Sequence, residues 1–408
     1  MIIYSELEKR KIFRVLLWGI LFRFIFMPFT TSTDLLWPYH RGYLWITGKL
    51  TPRGLNAFPD YVHGVFLLLL KPFLYPFFHS MWNIPWGPTH PHTPDEVGQM
   101  LSTFFTFVSQ PGIFYILFFL KLPYLVFDLL CAWVIFKLIG EEGFRFWMWN
   151  PVIIFISAIY GRYESVVLFL LLLSFYYFKR EQNILSLFYL SLSILFRLYP
   201  VILLPYFLKP LGRKSKKEYL GCLFLIIPLL YFIFNLRNKG GGLPHLDYLL
   251  AMNFFLGLHS TIYIFPLGYL LLLLHFLKFG RKEDLALYFA LLHLWLFSTC
   301  YFHLQFFAWL IPFLTLTIAG SKYKEGVFYF SLLFYFLYTF QWGKVNSVYL
   351  FAPLNPLKVF YLPSLKELIS PALFHKLMGL VRTALSACLL WLMYLLWREK
   401  NFNGLVWK

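Results

Sequence analysis

Apolar runs follow one another from residue 12 to residue 397, and between them Lys and Arg gather in short clusters at 179–180, 213–217, 278–282, 322–324 and 398–400. Water is a poor solvent for so many continuous runs, whereas a bilayer accepts them. In the bilayer each backbone group must be satisfied within its own segment, so continuous apolar runs are helices. Composition supports this: 60% of the 408 residues are apolar, 13% are charged and the mean hydropathy is +0.67. The expected fold class is all-α, a polytopic membrane protein of about twelve transmembrane or partly spanning helices.

The net charge of +18 is spread over short basic clusters rather than collected in one patch or stripe. That pattern excludes a nucleic-acid partner and fits basic loops retained on the cytoplasmic side. Lys9, Arg10, Lys11 and Arg14 lie at the start of the run 12–29, which places the N-terminus in the cytoplasm. No small-residue cleavage site follows that run, so it reads as a retained anchor. With every basic cluster on one side, both termini are cytoplasmic in a cell membrane, and 30–111, 237–261 and 342–376 are external. The piece 62–78, with Lys71, Pro72 and Pro76, then reads as a kinked helix in the interface, with a re-entrant hairpin satisfying the same parity. The runs 185–196 and 201–208 are short against the roughly 20 residues of a straight span, so they read as broken helices lining a cavity.

Charges inside apolar stretches are expensive and mark pathways or sites. Two tips stand out in 149–205: GRYES, with Arg162 and Glu164, and FRLYP, with Arg197. Both are expected to face one polar cavity. Asp34, in TTSTDLLWPYHRGYLW, lies just beyond the first run, where a carboxylate can act as a general base; Ser32 to Asp34 could equally cap the following helix. Lys121 and Asp128 share a helical face, and Asp128 reads as a structural partner inside the bundle. His303 and Gln305 in YFHLQFFAWLIPFL could donate to an anion, and Arg197 has the planar fork that suits a phosphate.

His79, His90 and His92 near Asp95 and Glu96 are broken by Pro and fit no zinc motif, and no metal or other cofactor is expected. Gly240 to Gly242 lack the flanking residues of a phosphate loop. Cys131, Cys222, Cys300 and Cys388 stand singly and suggest neither disulfides nor metal.

In order, Asp34, then KLPYLVFDLL at 121–130, NPVIIFISAIYGRYES at 150–165, ILFRLYPVILLP at 194–205 and YFHLQFFAWLIPFL at 301–314 resemble the GT-C superfamily of polyprenyl-phosphate-sugar-dependent membrane glycosyltransferases. The resemblance implies a catalytic module over 1–212, whose loop 30–111 carries interfacial helices, and a variable C-terminal region over 213–408. It implies transfer of a hexose, mannose or glucose, from a polyprenyl-phosphate donor to an acceptor hydroxyl on the external face, with inversion. The acceptor would be lipid-linked, a polymer or a protein. Carried over to this chain, Asp34 is the general base and Asp60 the runner-up acid. Arg197, Lys121 and His303 bind the donor phosphate, and Glu164, Arg162, Gln305 and Tyr263 line the cavity among membrane lipids. The chain departs from the family pattern by having Glu164 where Asp is common and Arg197 where Lys is common, and by lacking Asp-x-Asp near Asp34. A transporter or flippase of a lipid-linked or anionic substrate is the rival reading, since buried charges and broken helices also mark substrate paths.

Overall fold

The computed structural model describes residues 6–52, 57–88, 93–211, 224–228, 230, 249–257 and 260–406. Helices dominate these residues, as an all-α membrane chain requires. The described strands are β1 (Asn253–Gly257) and β2 (Ser260–Tyr263), an antiparallel hairpin with Phe254 opposite Ile262, which the sequence reading did not anticipate. By length and composition, Ala57–Leu74, Ile113–Ile139 and Pro371–Lys400 can each cross a bilayer. The first of these overlaps the segment expected to lie in the interface, and its Pro72 falls in its last turn. The expected broken pair is present: Asn183–Phe196 stops at Arg197, whose backbone is extended, and a 3-10 turn, Tyr199–Leu203, leads into Leu204–Leu211. The basic cluster 213–217, Cys222, the glycines 240–242 and the boundary expected at 212/213 lie outside the described residues.

Two compact units are formed, each discontinuous in sequence. The first comprises Met1–Leu129, Ile153–Ser165 and Thr339–Phe374; the second comprises Leu130–Val152, Val166–Tyr338 and His375–Lys408.

In the first unit, α1 (Glu6–Phe26) carries a fully buried Arg23. Its Nε lies 2.7 Å from Oδ2 of Asp128 on α5 (Ile113–Ile139), and its Nη1 donates to Gly19 O at 3.0 Å. Ser157 Oγ donates to the same Asp128 oxygen at 2.9 Å, so both buried charges are compensated. Asp128 is thus the structural partner its sequence position suggested.

α2 (Thr33–Ile46) and α3 (Ala57–Leu74) touch backbone to backbone, because a Cβ on Gly42 would fall 2.5 Å from Gly64 N. Arg41 Nε and Asp60 Oδ2, 2.5 Å apart, bind the same two helices. His63 on α3 reaches Pro59 O from Nδ1 at 2.6 Å and Tyr124 Oη from Nε2 at 2.8 Å. A carbonyl only accepts, so Nδ1 carries the proton and Nε2 accepts from the Tyr124 hydroxyl on α5. α4 (Pro94–Val108) opens with a capping box of Thr93 and Glu96.

The second unit centres on the almost wholly buried helix Leu285–Thr299. Carbonyls at its end have no helical partner, and the long helix Pro371–Val406 supplies donors for them. Ser386 Oγ donates to Ser298 O at 2.9 Å and Arg382 Nη2 to Cys300 O at 2.7 Å.

Candidate active site

Asp34 sits in the first turn of α2, where the helix N-terminus favours a carboxylate. Sequence rules allow Ser32–Asp34 to cap the helix, yet the N-cap residue Ser32 makes no capping bond. Its hydroxyl donates instead to Tyr160 O at 2.8 Å. Tyr160 Oη approaches Asp34 Oδ2 at 3.1 Å and Asn346 Oδ1 at 2.9 Å. A hydroxyl has one proton, so both contacts are satisfied when the Asn346 amide presents its NH2 and donates to Tyr160, which donates to Asp34.

Arg162 completes the group. Its Nη1 donates to Asp34 O at 3.1 Å, its Nη2 lies 3.8 Å from Asp34 Oδ2, and its Nε lies 3.9 Å from Glu164 Oε2. The Asp34 side chain is 32% exposed, while that of Glu164 is fully buried and that of Asp60 is 2% exposed and occupied by Arg41. Of the three carboxylates Asp34 alone has room for a substrate hydroxyl, which makes it the strongest candidate for a base.

The local fold explains how Tyr160 and Arg162 are aimed. After Pro151–Ile154 the chain widens into a π turn, Phe155–Tyr160, a rare form that recurs at functional sites. Gly161 then adopts φ 76° and turns the chain back. A Cβ there would meet Lys121 Cε at 3.0 Å and Leu35 at 3.3 Å, so space and backbone both call for glycine. Lys121, fully buried, donates to Thr30 O at 2.6 Å, Ala158 O at 2.8 Å and Ile159 O at 3.0 Å. Its three protons are thereby committed to carbonyls at the end of the π turn and at the approach to α2, a helix-ending role. The backbone of the segment bearing Asn346 is tied in where Thr31 N–H donates to Leu350 O at 2.9 Å.

Among the residues singled out from sequence, the first unit therefore gathers Asp34, Arg162 and Glu164, with Lys121 bracing their backbone and Asp60 held at the α2–α3 contact. Arg197, His303, Gln305 and Tyr263 belong to the second unit. There the Arg197 guanidinium lies 6.0 Å over the Phe306 ring, and His303 borders the same ring at 6.1 Å. Gln305 is buried with its Oε1 unpartnered among the described residues, and Tyr263 ends β2, partly exposed. Tyr160, Asn346 and Arg23 were not singled out from sequence. Among the described residues no group of three or more His, Cys, Asp or Glu is placed to hold a metal; His90 and His92 lie outside them.

No family model matches the chain, and neither does any solved structure. Over 143 residues, 35% of the chain and 32% of the relative, it is 29% identical to GPI mannosyltransferase 1 of Debaryomyces hansenii. Over 106 residues, 23% of the chain and 26% of the relative, it is 36% identical to GPI mannosyltransferase 1 of Candida albicans. The protein of that name from Kluyveromyces lactis is 33% identical over 90 residues, 20% of the chain and 22% of the relative. The chain thus spans about a third or less of the length of these curated relatives. Within those segments it is similar to proteins named GPI mannosyltransferase 1, in agreement with the GT-C resemblance carried by its motifs.

Proposed function

We propose that this chain is an integral membrane mannosyltransferase with Asp34 as general base, taking mannose from a polyprenyl-phosphate carrier to a hydroxyl of a glycosylphosphatidylinositol lipid. The observation that carries the reading is the part-exposed Asp34 carboxylate, oriented by Tyr160 and Arg162. Similarity to proteins named GPI mannosyltransferase 1 supports mannose as the sugar and a GPI lipid as the acceptor class.

In the reaction, Asp34 accepts the proton of the acceptor hydroxyl as its oxygen bonds to the anomeric carbon. The bond from that carbon to the phosphate oxygen breaks, the electron pair leaves with the prenyl phosphate, and the anomeric configuration inverts. Arg162 and Tyr160 fix the base rather than touch the donor. The departing phosphate needs a cation, and Arg197 is the residue proposed for it, with His303 behind; a planar guanidinium binds phosphate in two parallel contacts. Lys121 acts through the backbone it ties together. Glu164 is proposed to line the cavity beside Asp34, and the acceptor is proposed to approach from the side opposite the basic clusters.

The purified chain in lipid nanodiscs, given polyprenyl-phosphate radiolabelled mannose and a glycosylated phosphatidylinositol, is expected to label the glycolipid. Absence of transfer from mannose and glucose donors alike, with the protein folded, overturns the reading.

A further inference from the structure

One helical turn beyond Asp34, on the same face of α2, stands Trp37, and a further turn on stands His40. The His40 ring stacks on Trp86 at 3.6 Å and 8°, nearly parallel, and Trp37 meets Trp86 edge to face at 5.0 Å. Trp86 lies in an irregular stretch after the 3-10 turn Ser80–Trp82, where a loop could wander. Here it is pinned: Trp86 Nε1 donates to Trp82 O at 3.2 Å, Gly87 N–H donates to Thr103 Oγ1 at 2.9 Å, and Thr103 Oγ1 donates to Pro85 O at 2.8 Å. His40 and Trp82 are buried, whereas Trp37 and Trp86 remain half-buried. Trp86 is therefore held in place and packs against Trp37, each ring keeps part of its surface uncovered, and Trp37 lies one turn from the candidate base.

Rigid indole faces suit a sugar ring. The axial C–H bonds of a hexose present a weakly positive apolar surface to the negative face of an aromatic ring, at little conformational cost to the protein. We infer that Trp37 and Trp86, backed by His40, form a stacking subsite for a sugar ring of the acceptor glycolipid, placing its attacking hydroxyl beside Asp34. The inference rests on the mannosyltransferase reading for the identity of the acceptor. It adds what selects that acceptor: a glycosylated phosphatidylinositol is preferred over the bare lipid, because the bare lipid brings no ring to the platform.

Binding tests this without turnover. The full chain in nanodiscs is titrated with phosphatidylinositol carrying one hexose and, separately, with unglycosylated phosphatidylinositol. The wild type is expected to bind the glycosylated lipid about tenfold more tightly. In Trp37→Leu/Trp86→Leu that preference is expected to vanish while affinity for the bare lipid stays. Trp37→Phe, which keeps a ring and secures folding, should retain part of it. Equal affinity of the wild type for the two lipids, or a preference that survives the double leucine variant, overturns the subsite. Failure of the transferase reading would show separately, as a preserved sugar preference with no mannosyl transfer.

Discussion

Replacing Arg23 by Leu removes the cation from a carboxylate that lies wholly out of solvent. Asp128 then keeps the Ser157 hydroxyl, at 2.9 Å, but loses a guanidinium whose Nε lies 2.7 Å away. Breaking a buried ion pair from one side costs about 3–5 kcal/mol, because the remaining charge stays uncompensated. Asp128→Leu in the same way takes the carboxylate from Arg23, whose Nη1 still donates to Gly19 O at 3.0 Å. The double variant leaves no charge behind, and Ser157 stays satisfied because its hydroxyl also reaches Ile153 O at 2.8 Å. Its cost should therefore be at most about 2 kcal/mol, well under either single. Neutral hydrogen bonds inside membrane proteins couple by at most about 1.7 kcal/mol, so a larger value in the double-mutant cycle identifies an ion pair. The assay is reversible unfolding of the four proteins in mixed micelles, read by circular dichroism. A coupling energy under about 1 kcal/mol, or a double variant as unstable as the worse single, would refute the reasoning.

Four further outcomes follow from the same structure. Gly161→Ala is expected to cost about 1–2 kcal/mol from its positive φ, more once Lys121 is crowded, and to lower transfer; unchanged unfolding and turnover would contradict the assigned turn. Tyr160→Phe removes the proton given to Asp34, so kcat should fall by about tenfold with donor KM unchanged; a pure KM effect would contradict the orienting role. Gly42→Leu should separate α2 from α3 and abolish folding, whereas a stable, active variant would show that the helices do not meet there. Burial and then the neighbouring Arg41 push His40 down to about 4 from its ordinary 6.5. The unfolded chain therefore binds a proton first, and stability contributed by neutral His40 is complete above pH 6.5 and is lost as pH falls toward 4. His40→Phe should flatten that part of the stability–pH curve by up to one proton; an unchanged slope would contradict it.

The fold class was legible because continuous apolar runs have one structural solution in lipid. Asp34 and the GRYE tip were legible for the complementary reason, that a charge in such a stretch needs a purpose. Arg23 escaped notice although the same rule covers it, because the run around it was read through as one anchor. Tyr160 and Asn346 meet across 186 positions, and neither an aromatic residue in an aromatic-rich chain nor an Asn in a polar stretch carries a periodic mark. The π turn that aims Tyr160 leaves no trace in composition, since it differs from the α-helix only in which carbonyl each N–H finds. Local rules offered Ser32 as a cap, and a tertiary partner, Tyr160 O, took its hydroxyl instead. Lys121 was legible as important, but a buried ammonium facing carbonyls and one facing a phosphate look alike in sequence.

The most direct measurement is single-turnover mannosyl transfer by Asp34→Asn, which keeps the size and hydrogen bonds of the side chain but cannot take up a proton. The account predicts that transfer falls by at least about a hundredfold while acceptor and donor binding and the unfolding midpoint stay at wild-type values. Transfer at the wild-type rate in that variant would contradict the assignment of Asp34 as the base.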